Sequence, residues 1–132
     1  MPELNLSEQD AHLLAQIQTD LSTATTLLSE LPSGVTVFGS ARTAPDDAAY
    51  QCAYRLGSWL GRAGLPVLTG GGPGIMEAVN RGAREADGIS VGLNIELPYE
   101  QTPNPHLTHQ LHFHLFATRK LMLTRYSRGF VI

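Results

Sequence analysis

At 132 residues, with 42% hydrophobic and 16% charged side chains, the chain is long enough for one domain with one core and too short for two. A net charge of −3 argues against a general nucleic-acid binder, and the acidic N-terminus and the absence of a long apolar run argue against a signal peptide or a membrane span, so a cytoplasmic protein is expected. Cys52 is the only cysteine, which excludes an internal disulfide, and it reads as a small core hydrophobe.

In chain order, Ser7 is placed to cap a helix, with Asp10 three residues on, and Leu14, Ile17, Leu21, Ala24, Leu28 and Leu31 then form one apolar stripe over 7–31. Pro32, Ser33 and Gly34 end it. VTVFG at 35–39 reads as a buried strand, and the polar turn SARTAPDD leads to a second helix marked by Ala49, Ala53, Leu56 and Leu60 and closed by Gly64. Residues 66–69 form the next strand, followed by the glycine loop GGGPG and a helix carrying Ile75, Met76, Val79 and Ala83 at helical spacing. ISVGLNI at 89–95 is a third strand, LPYEQTPNPH a proline-rich loop, 111–113 a short apolar segment, 115–127 a last helix, and GFVI the start of another strand. Strands alternating with helices imply a parallel sheet covered on both faces, with ligands bound beyond the carboxyl ends of the strands.

The glycine loop carries most of the functional information. Gly70, Gly71, Gly72 and Gly74 allow positive φ and close approach of a ligand, and the helix that follows, opening with Met76 and Glu77, offers unpaired N–H groups and the positive end of a dipole. The expected guest is a phosphate. The loop lacks the Lys-Ser/Thr ending of a Walker loop and the G-x-G-x-x-G spacing of a dinucleotide site, so it is a phosphate loop of another type. Glu77 either answers the helix dipole or accepts from ribose hydroxyls. Ser40 and Arg42, directly after the first strand, either bind phosphate or serve as a capping serine and a solvated arginine.

Charge is unevenly distributed. Residues 1–33 hold five carboxylates and no Lys or Arg, whereas 101–132 hold no Asp or Glu and carry Arg119, Lys120, Arg125 and Arg128, a local positive field suited to a small anion. Arg119 falls on the apolar stripe of the last helix, where an arginine needs a partner, while Lys120 lies about 100° round the helix. Lys120 is also the only lysine, which makes a pyridoxal-phosphate-dependent decarboxylase a poor fit, and no cofactor is expected. His109, His112 and His114 cluster, but no carboxylate follows Glu100 to complete a ligand set, so no metal is expected.

FGSAR, TGGGPGIMEAVNRGA, GLNIELPYEQTPNP, FATRKLML and YSRGFVI, in this order from about Val35 onward, resemble the LOG ("Lonely guy") family of nucleoside 5′-monophosphate phosphoribohydrolases, proteins often labelled possible lysine decarboxylases. The resemblance implies a Rossmann-like nucleotide-binding domain over 34–132; the leading amphipathic helix of 1–33 lies outside the shared motifs. It also implies a homodimer that hydrolyses the N-glycosidic bond of AMP-like or cytokinin nucleotides to base and ribose 5-phosphate. By the same resemblance Arg119 is the catalytic member of an Arg-Lys pair with Lys120, Gly70 to Gly74 form the first glycine loop, and Glu100 falls on an acidic substrate contact. The family's second signature, P-G-G-x-G-T-x-x-E, would follow the last strand. A chain cut inside its fold, with little activity of its own, is therefore expected. The alternative is a non-catalytic carrier of a nucleotide or phosphorylated cofactor, as in the molybdenum-cofactor carriers, which resemble the family in fold.

Overall fold

The computed structural model describes residues 6–97 and 102–132. Ser7 begins the first helix, α1 (Glu8–Leu28), its hydroxyl accepting from the Asp10 amide at 3.1 Å. The helix stops at Leu28 rather than running to residue 31, because Glu30 and Leu31 tighten into i−3 bonds to Leu27 and Leu28 ahead of Pro32. There follow β1 (Gly34–Val37), α2 (Ala48–Arg62), β2 (Val67–Thr69), α3 (Ile75–Glu85), β3 (Ser90–Ile95), β4 (His109–Phe113), α4 (Phe116–Arg125) and β5 (Ser127–Val131). Every expected element is present. The boundary between α4 and β5 falls earlier than expected, since Tyr126 leaves helical geometry and Ser127 already pairs with Gly34.

The five strands are parallel in the order β4-β3-β2-β1-β5. Alternation along the strands divides the core in two, as a sheet covered on both sides requires. Val67 of β2 faces α2 and α3 with Val37, Ala53, Leu60, Val79 and Ala83, whereas Leu68 faces α1 and α4 with Leu93, Phe113, Ala24, Leu28 and Met122. The leading helix thus packs on the domain beside α4. Cys52 departs from expectation. It is exposed, because α2 buries Tyr50, Ala53, Gly57 and Leu60, a stripe that Cys52 misses, and it lines an apolar cleft with Phe38, Leu56, Val131 and Ile132.

From β1 the chain moves to β2 on one side, while β5, reached by α4 crossing the sheet, lies on the other. Such a change of direction opens a crevice at the carboxyl ends of the strands. The turn after β1, the glycine loop after β2 and the N-terminal half of α4 all lie at this end.

Candidate anion site

The glycine loop is held by its carbonyls. Gly70 O accepts from Arg119 Nη2 at 2.9 Å, Gly71 O from the Asn104 amide at 2.9 Å and from Asn94 Nδ2 at 3.2 Å, and Gly72 O from Asn104 Nδ2 at 3.0 Å. A buried polar network backs these bonds: Thr69 Oγ1 donates to Asn80 Oδ1 at 2.6 Å and accepts from the Gly71 amide at 2.9 Å, and Asn80 Nδ2 donates to Ser90 Oγ at 2.8 Å. Because a trans peptide carries its N–H opposite its C=O, the Gly72 amide is turned away from this network. Glycine is required twice. Gly71 and Gly74 have φ of 77° and 72°, and a Cβ on Gly74 would lie 2.2 Å from the Ser40 carbonyl oxygen.

That close approach joins the two turns. Ser40 O accepts from the Ile75 amide at 2.9 Å, so the FGSAR turn sits against the head of α3. Ser40 Oγ is occupied locally, accepting from the Arg42 amide at 3.1 Å, and both Ser40 and Arg42 are exposed. Among the described residues the amides of Met76 and Glu77, in the first turn of α3, find no acceptor, as expected of a helix start.

Arg119 is the electrostatic feature of the site. Its Nε donates to Leu93 O at 2.6 Å and its Nη2 to Gly70 O at 2.9 Å, so the guanidinium bridges β3 and the loop that follows β2. The partners that its place on the helix stripe required are therefore two main-chain carbonyls. No carboxylate pairs with it among the described residues, whose ion pairs are Arg81–Glu85, His114–Asp20 and His114–Glu96. Burial lowers its pKa from the ordinary value, the direction for a cation short of counter-charge. Arginine stays protonated in any protein setting, and two carbonyls use two of its five N–H donors. Gly70 makes this approach possible, since a Cβ there would meet Arg119 Nη2 at 2.1 Å.

A cleft of about 280 Å³ opens over this point, lined by Phe38, Gly39, Gly70, Met76, Arg119 and Lys120 among others. Lys120, 100° from Arg119 on the helix, reaches the same cleft from its exposed side. The structure thus brings together Gly70, Met76, Arg119 and Lys120. It leaves Ser40, Arg42, Gly71, Gly72, Gly74 and Glu77 outside the walls of the cleft, on the turns that shape it. Glu100 lies outside the described residues. Sequence reasoning missed Phe38, Asn94 and Asn104, whose roles depend on contacts between distant segments. Among the described residues no group of three or more His, Cys, Asp or Glu is placed to hold a metal, and no helix is long and apolar enough to cross a membrane.

Residues 33–131 match the family model of the SLOG cluster4 family. The chain belongs to this family. Its LOG-like fold is shared with TM1055, a structural-genomics target solved by X-ray diffraction, at 32% identity and a TM-score of 0.61 over 74% of this chain and 58% of that one. It is also similar to the molybdenum cofactor carrier protein of Chlamydomonas reinhardtii in two structures, each 28% identical. Their TM-scores are 0.53 and 0.52, over 64% and 65% of this chain and 51% and 52% of theirs. The SLOG chain therefore spans between about half and three fifths of the length of these structures. No curated protein matches it.

Proposed function

We propose that the cleft binds a nucleoside 5′-monophosphate by its phosphoryl group. Arg119 and Lys120 supply the charge, and the Gly72 amide and those of the first turn of α3 supply N–H donors. The observation that carries this reading is the half-buried Arg119 guanidinium, held by two carbonyls and facing a cleft with no carboxylate paired to it among the described residues. A charge withdrawn even partly from water is costly unless it is answered, and an anionic ligand answers it. The family match and the fold support a nucleotide-related role.

The finer reading is hydrolysis of the N-glycosidic bond to base and ribose 5-phosphate. Breaking that bond builds positive charge on the ribose, so a carboxylate must stabilise it or activate water while the phosphate is anchored. Glu77, in the first turn of α3, is the described carboxylate placed beside the glycine loop. The second reading, a carrier that binds without turnover, is favoured by the likeness to the Chlamydomonas carrier. Incubation with AMP separates the two. Adenine release followed by chromatography supports the hydrolase. Thermal stabilisation without release supports the carrier; AMP at 100 times its dissociation constant stabilises by about 2.7 kcal/mol. Neither release nor stabilisation would remove the anion site itself.

A further inference from the structure

Asp20 is 1% exposed and lies in α1, outside the stretch matched by the family model, yet its carboxylate serves the other end of the chain. It accepts from the His114 amide at 3.0 Å, the Leu115 amide at 3.2 Å, Thr118 Oγ1 at 2.6 Å and His114 Nδ1 at 2.6 Å. The residue at the cap position of α4, Leu115, provides no side-chain bond. Asp20 thus holds the entry of α4 from another helix, through the two amides that lead into it and the Thr118 hydroxyl of its first turn, and places an anion at the positive end of that helix. Thr118, bonded to it, immediately precedes Arg119. The charged groups facing the pair among the described residues are few: His114 meets Asp20 from α1 and Glu96 Oε2 at 3.6 Å from the segment after β3.

We propose that Asp20 is a positioning residue for the anion cleft: α1 sets the first turn of α4, and with it the guanidinium of Arg119, through a carboxylate whose hold depends on the charge of His114. This rests on the reading of the cleft given above. Burial alone would raise the Asp20 pKa, but the bonds from Thr118 and His114 outweigh it and hold the group below its ordinary value. The bond to Asp20 raises His114. At low pH the imidazolium donates to the carboxylate as a charge-assisted pair; as His114 loses its proton the pair weakens and the hold on the entry of α4 loosens.

The test uses the full chain as wild type, Asp20→Asn and His114→Asn, at about pH 6 and about pH 8.5, on either side of the histidine titration. Two quantities are read: exchange of the Arg119 Nε proton by NMR, and the affinity for AMP. Asp20→Asn keeps the shape but loses the charge. It is expected to speed exchange of that proton and to weaken AMP binding roughly tenfold at the lower pH. His114→Asn keeps a side-chain donor for Asp20 without a titrating group. It is expected to bind AMP within about twofold of wild type at the lower pH and to show a flatter pH dependence. A folded Asp20→Asn protein with unchanged exchange and affinity overturns the proposal, as does a His114→Asn protein with the pH dependence of wild type. If Asp20→Asn fails to fold, the His114→Asn arm decides. Should wild type bind no AMP, the reading of the cleft fails, and the Arg119 proton still decides whether Asp20 positions that side chain.

Discussion

The two helical layers that cover the sheet are built in opposite ways. On one side α2 and α3 cross through small residues: a Cβ on Gly57 would lie 2.0 Å from Val79 O, and one on Gly82 would lie 2.1 Å from Tyr54 O, so main chain packs directly on main chain. On the other side α1 and α4 meet through apolar residues laced with buried polar groups. Asp20 holds the entry of α4, and Thr36 Oγ1 and Ser127 Oγ each donate to Leu123 O at 2.8 Å. The first layer packs α2 against α3 over one face of the sheet. The second carries Arg119. The difference places fold stability chiefly in the glycine crossing and site geometry chiefly in the polar layer, and each half of that statement can be broken separately.

The largest effect is expected in the glycine crossing. Gly82→Ala puts a methyl against backbone that cannot yield, as overpacking does, and is expected to lower the urea midpoint by an amount equivalent to about 2–3 kcal/mol. A loss below about 0.5 kcal/mol, the range of ordinary surface changes, would show that the two helices separate easily. Gly70→Ala is the counterpart in the polar layer. The added methyl meets the far ends of the Arg119 and Met76 side chains rather than backbone. Stability should therefore change little while AMP affinity falls roughly tenfold, measured by titration calorimetry. Equal losses of stability and affinity would erase the contrast between the layers.

The smallest effect is the pH dependence of α1–α4 docking, because His114 is partly exposed and solvent screens the pair. Asp20 is lowered from 3.8, so its contribution is present above that value and is lost as pH falls through the lowered one. His114 is raised from 6.5, so its contribution is full below that value and is lost as pH rises through the raised one. Hydrogen-exchange protection at the first turn of α4 is thus expected to be greatest between about pH 4 and pH 6.5. Protection that rises steadily above that window would contradict the pairing.

The glycine crossing side of the fold was largely legible in the sequence, because Ala53, Leu60, Val79 and Ala83 advertise their faces by spacing and the glycine loop announces a strand-to-helix turn. The polar layer was not. Asp20 sits among Thr19, Leu21 and Ser22 with nothing local to mark it as buried, and its partners lie 94 to 98 residues away. Asn94 interrupts an apolar strand, and Asn104 lies in a proline-rich loop; only their meeting at the carbonyls of Gly71 and Gly72 gives either a purpose. Arg119 was recognised by its position on the helix stripe, yet its partners are main-chain carbonyls, which a side-chain pattern cannot reveal. Cys52 misled for a related reason: residue type suggested burial, while the phase of α2 turned it outward.

On this reading a half-buried, carbonyl-held arginine, Arg119, grips the phosphate of a mononucleotide. Calorimetric titration of AMP into wild type and Arg119→Gln tests it most directly. Wild type is expected to bind, and the variant to lose roughly a hundredfold in affinity, about 2.7 kcal/mol. Equal affinity in the two proteins would contradict it.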